Sequence, residues 1–222
     1  AAGVTNRTFT VSGGTFNYNA GTVGGAGTLN LSSTTANFTP NFSNVTTTLR
    51  LVSTTLNGPG TVTNANTLNT DSSTINANLV NQGLLVFRGS ANNLGGSFEN
   101  QGGATVRLLA DGTFDNAAVN VALGFTNLGV IELTSVSGAL TASLNVNSGS
   151  LVNAVGGQIN VLAGTGGGRT LGVQLDNRGT VTINQALTLN GSSAHHVNSG
   201  TITLSGGDFT VNQGGTTPSF TT

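Results

Sequence analysis

The chain has 222 residues, a formal net charge of −1, no Cys, Met or Trp, and only 6% charged residues, against about 25% in an ordinary soluble domain. Its six basic side chains are all Arg and are scattered, which excludes the basic stripe of a nucleic-acid binder and the clustered cations of an anionic-membrane anchor. The absence of Cys excludes a disulfide framework, and no apolar run of about 18 residues offers a membrane-spanning helix.

The hydrophobic share of 36% is carried by Val, Leu, Ile and Phe in short alternating runs. Such a composition is β-structured, whereas disorder pairs low hydrophobicity with high net charge. In chain order, the opening segment AAGVTNRTFTVSGGTFNYN already reads as strand. A series of short x-apolar-x-apolar strands follows. Its first inward residues are Leu29 (GTLNL), Leu49 (TLRLV), Val62 (GTVTN), Leu85 (GLLVF), Val106 (ATVRL), Ile131 (GVIEL), Ile159 (GQINV), Val181 (GTVTI) and Ile202 (GTITL). Their spacing clusters in the low twenties, with one short step between Leu49 and Val62. Alternation sends two side chains of each strand inward and the one between them outward. Second strands follow within repeats, as in SLNVN (143–147), LGVQL (171–175), ALTLN (186–190) and FTVN (209–212). No 3.6-residue apolar period is present, so helices are not expected.

Two or three short strands per repeat predict an all-β, right-handed parallel β-helix (a β-solenoid) of about nine coils of roughly 20–28 residues. The whole of 1–222 is read as one solenoid, with less regular Thr/Asn-rich coils over 1–78 and regular coils over 79–222. An antiparallel sandwich is the runner-up. It would place hairpin turns every 8–12 residues, and Asn-Gly pairs occur only at Asn57-Gly58 and Asn190-Gly191.

Most of the regular strands follow an Asn-x-Gly corner. The corner residues are Asn81, Asn100, Asn127, Asn177 and Asn198, with Asn153 a looser match. Stacking would place them in a ladder, because Asn tolerates turn conformations and its amide can bond from coil to coil. The Gly is expected to supply a positive φ. An exposed, glycan-binding Asn row is the alternative.

The phrases LVNQGLLVF, FENQGGATVRL, FTNLGVIEL, LDNRGTVTI and HVNSGTITL resemble the β-helical repeats of bacterial surface and secreted proteins, such as filamentous-haemagglutinin-like adhesins and autotransporter passengers. The resemblance covers roughly residues 79 to 212. It implies an extracellular or cell-surface, stalk-like or filament-like role. It carries no catalytic residues, and the secretion-signal domain of two-partner-secreted adhesins is not recognisable.

Chemistry is sparse in the sequence. Asp111 and Asp115 flank a turn and read as a solvated corner. In the coil register Arg107 and Glu132 are outward neighbours, an expected surface ion pair. His195 and His196 are adjacent, so an extended backbone points them to opposite sides; they read as a solvated turn and not as a metal site. GTGGGR (164–169) lacks the Lys-Ser/Thr ending of a phosphate loop and reads as an insertion between coils. Thr180/Thr182 and Thr201/Thr203 make a patch of the kind an ice-binding face needs, but Val130/Glu132 and Gln158/Asn160 interrupt it. Sequons such as those at Asn6 and Asn44 are expected by chance at this Asn and Thr content.

The expectation is therefore a non-enzymatic structural solenoid with no cofactor or metal, in a stalk, fibre or self-assembling filament, with adhesion as an added role. Its partners would be copies of itself stacked end to end, or neighbouring repeats of a longer chain. Surface glycans are the second partner class, with a glycan-processing or ice-binding β-helix as alternative functions. Neither end reads as a helical cap, and GGTTPSFTT stops in the opening of another strand.

Overall fold

A computed structural model describes residues 7–222; Asn6 and the first residues of the opening segment lie outside it. The described residues form 27 strands and no helix, and every strand-to-strand pairing between them is parallel. It is a β-solenoid whose strands stack in three rows.

The first row is a ten-stranded sheet running from Thr8–Ser12 through Thr28–Ser32 and Thr48–Val52 to Thr201–Leu204. Ten rungs at about 4.8 Å make it roughly 43 Å long. The second and third rows appear as one 17-stranded sheet. They are joined because the long strands Ala142–Asn153 and Arg169–Asn177 pass through the corner between them. Ala142–Asn153 makes the passage with a register shift between Asn145 and Ser150. The second strands expected at 143–147, 186–190 and 209–212 fall in the second row, and the one at 171–175 starts there and turns the corner into the third.

Leu29, Leu85, Val106, Ile131, Ile159, Val181 and Ile202 do align along the first row. All are buried except Ile202, which is partly buried. Val62 does not belong there. It lies in the third row beside Leu79, and the residue in step with Leu49 is Leu68. Phe9 adds a tenth member beside Leu29, so the described residues make ten coils, in line with the expected number of about nine. With Leu68 in place, the Thr/Asn-rich part up to residue 78, expected to be less regular, has the steadiest spacing: Phe9, Leu29, Leu49 and Leu68 are 20, 20 and 19 residues apart. The short step disappears because two different rows had been read as one.

One coil buries little by itself; stacking makes the core continuous. Phe38 and Phe42, with ring centroids 4.9 Å apart, pack under Tyr18 near the N-terminal side, and Phe98 and Phe125 repeat the contact at 4.9 Å further along.

Candidate functional site

The corner between the third and first rows holds a buried amide ladder. Asn81, Asn100, Asn127, Asn153 and Asn177 are fully buried, and Asn198 is half-buried at the last rung. Each Nδ2 donates to the Oδ1 of the next coil's Asn, over 2.6–2.8 Å from Asn81 to Asn198. The ladder extends to two residues outside any Asn-x-Gly phrase: Asn44 donates to Asn64 at 2.9 Å and Asn64 to Asn81 at 2.7 Å. Asn44, 1% exposed, is therefore closed to glycosylation. Each Nδ2 from Asn44 to Asn177 also donates to the carbonyl at or near the start of the first-row strand that follows the next coil's Asn, as Asn100 does to Val130 at 3.2 Å. A carbonyl can only accept, so this second bond fixes which way every amide faces. Burial rules out glycan binding by this row.

The glycines of these corners act differently from the expectation. Gly83, Gly129, Gly179 and Gly200 do not have positive φ. A Cβ on any of them would fall against a backbone oxygen of the neighbouring coil, such as Ala104 O for Gly129. Gly is needed there for close approach. Left-handed glycines do occur in two of these corners, at Gly103 and Gly156, and left-handed backbone is also spent at the corner after the first row, on Ser33, Ser53 and Ser72 at φ 46–49°. The buried residues that follow them, Thr54 and Ser73, close a second polar corner. Thr54 N–H donates to Ser73 Oγ at 3.0 Å, and Ser73 N–H to Asn92 Oδ1 at 3.1 Å.

Three of the four ion pairs among the described residues tie adjacent coils together. Arg107 Nε and Glu132 Oε2 are 2.6 Å apart across adjacent coils, Arg50 reaches Asp71 at 3.1 Å, and Arg88 reaches Asp111 at 3.7 Å. Asp71 is 2% exposed. Burial raises its pKa, against the opposing pull of Arg50. Asp111 and Asp115 pair as an isolated bridge, and Asp111 Oδ1 accepts from the N–H groups of Thr113 and Phe114, which makes the turn self-contained. Among the described residues no group of three or more His, Cys, Asp or Glu could hold a metal ion.

Two residues depart from their expected places. His195 is exposed as expected, but His196 is fully buried, not part of a solvated turn. Its Nδ1 accepts from Leu175 N–H at 3.2 Å, and its Nε2 is buried without a partner. Burial, then the neighbouring His195, lower its pKa. Arg169, at the end of GTGGGR, is 1% exposed and inward-facing, opposite Ala142 and Leu187. Its guanidinium donates to the carbonyls of Leu140, Gly167, Gly168, Leu162 and Ala163 at 3.1–3.4 Å. The glycine-rich segment is thus a carbonyl cage around one buried cation.

The solvent side of the second row carries the most regular chemistry. In its first four coils the outward pairs are Thr15/Asn17, Thr35/Asn37, Thr55/Asn57 and Thr74/Asn76, in register. The Asn amides link coil to coil: Asn37 to Asn17 at 2.9 Å, Asn57 to Asn37 at 3.1 Å, Asn76 to Asn57 at 2.9 Å. At Asn93, opposite both Thr74 and Asn120, the pattern steps over by one outward position. It then resumes as Ser143/Asn145, Thr170/Gly172, Thr188/Asn190 and Thr210/Asn212. No outward position of these strands is charged. Its signal in the sequence is TFN, TAN, TLN and TIN at intervals of 20, 20 and 19 residues, a period that first-row alternation does not reveal.

No family model matches the chain, and comparison with curated proteins and with solved structures finds no similar protein. The geometry itself therefore carries the functional reading.

Proposed function

We propose that the chain is the shaft of an extracellular structural assembly, a stalk, fibre or filament of the bacterial surface or matrix, without enzymatic activity. The observation that carries this reading is the unbroken amide ladder from Asn44 to Asn198 beside a continuous apolar core. A load along the axis would be shared at each coil boundary by three rows of main-chain bonds and by the corner amides together. Few like charges oppose close packing along such a shaft. The resemblance of the Asn-x-Gly phrases to adhesin and passenger repeats supports the extracellular assignment. The partners in this reading are further copies or further repeats joined along the axis, with adhesion to surface glycans as an added role.

Electron microscopy of the purified chain across a concentration series tests it. Filaments whose axial repeat is close to one chain length are the expected result. Single short rods at every concentration would remove self-assembly from the proposal.

A further inference from the structure

The outward face of the second row has no part in core packing or in coil-to-coil ion pairing, yet it is the most uniform surface on the molecule. Four Thr-x-Asn rungs between Thr15 and Asn76 form a two-column net. Its spacings are about 4.8 Å between strands and about 6.6 Å between alternate residues of one strand. The amides are immobilised by one another. An Asn within the ladder still keeps one N–H and one lone pair for an outside partner. Thr15 and Thr35 are exposed and Thr55 is half-exposed.

A ligand for such a face must be periodic in two directions, uncharged, and able to donate and accept at every node. The face has no aromatic ring on which a sugar could stack and no charge for an ionic polymer. Solid water meets all the requirements. Its prism face repeats in two perpendicular directions on the same scale of a few ångströms, and Thr supplies a methyl and a hydroxyl at each node to hold a surface water layer in place. Because the side chains are already fixed, little ordering entropy opposes many weak contacts.

We infer that the Thr-x-Asn face of the second row binds ice. The first row cannot, since Arg50, Val86, Arg107 and Glu132 interrupt its outward column. The inference is independent of assembly: a shaft that never polymerises still carries the face.

The test uses the whole chain, cooled with a single ice crystal under a microscope and separately partitioned between ice and liquid. The expected result is faceted growth and enrichment in the ice fraction. Thr35→Lys and Thr55→Lys, each placing a charge within the net, should return growth to that of buffer. Thr182→Lys on the first row should not. Thr55→Val, which keeps the shape and one methyl, should retain part of the effect. Circular dichroism of each variant separates a lost surface from a lost fold. Unmodified ice growth with the folded wild-type chain overturns the inference, as does equal loss in the first-row control. Retention on insoluble cellulose or chitin without any effect on ice would also overturn it, assigning the face to a polysaccharide. So would lateral dimers that Thr55→Lys dissolves, assigning it to a second copy.

Discussion

Asn100 accepts from Asn81 at 2.8 Å, and donates to Asn127 at 2.6 Å and to the Val130 carbonyl at 3.2 Å, all inside the corner. Asn100→Ala leaves a buried acceptor on Asn127 without its donor. The expected cost is about 1–3 kcal/mol, read by urea unfolding. Asn100→Asp is expected to be worse at neutral pH, because an anionic oxygen would face Asn127 Oδ1 and Val130 O. Burial raises the pKa of such a carboxyl. The variant should therefore be most stable in acid and lose stability as pH climbs above the ordinary carboxylate range. His196 runs the other way. Its folded pKa is lowered from the ordinary 6.5, so the unfolded chain takes up the proton first. Stability is complete above that ordinary value and is lost as pH falls toward the lowered one. Hydrogen exchange over Phe209–Thr221, which pairs with the coil of His196, should quicken in mild acid. His196→Phe, packed against Phe220, should remove that response. The Asn residues were legible in the sequence because their spacing tracks the coils. His196 and Arg169 were not. An exposed strand end and a buried one carry the same letters, and only the neighbouring coil decides which side is closed.

At the level of elements, corners rather than strands set the register. The strands repeat a general alternation that many positions satisfy. The corners require particular atoms: an amide at the third-to-first turn, a left-handed residue and a buried hydroxyl at the first-to-second turn. Gly129 shows how little space remains. A Cβ there would meet Ala104 O, Gln101 O and the Asn100 amide, so Gly129→Ala should cost about 1–3 kcal/mol through overpacking, measured by thermal melting. The first-row strands were legible from apolar alternation alone. The third row was not, because its early strands are as short as Phe42–Ser43 and Val62–Asn64. A two- or three-residue strand gives no periodicity to read, which is why Val62 was mistaken for a first-row residue.

Across the whole molecule, nearly every contact joins a coil to the next, so the fold should tolerate loss of a complete coil and not of part of one. Deleting residues 49–67 would connect Thr48 to Leu68, the partner of Leu49, and keep all rows aligned. The shortened chain is expected to give the same β-type circular dichroism and a slightly smaller hydrodynamic radius. Deleting about half that length should abolish cooperative melting. The β-solenoid class was legible from composition and repeat length. The uniform second face was not, because its residues matter only in relation to coils about twenty residues away. The direction of the buried amides has one further consequence. Every Nδ2 from Asn44 to Asn177 points toward the C-terminal side and every Oδ1 from Asn64 to Asn198 toward the N-terminal side, so the rod has a head and a tail at the atomic level. In the proposed assembly, joining copies head to tail would keep that direction from one copy to the next, whereas head-to-head contact would reverse it. If copies join along the axis as proposed, growth would be vectorial, as in any polymer joined by unlike surfaces, and the two tips would extend at different rates.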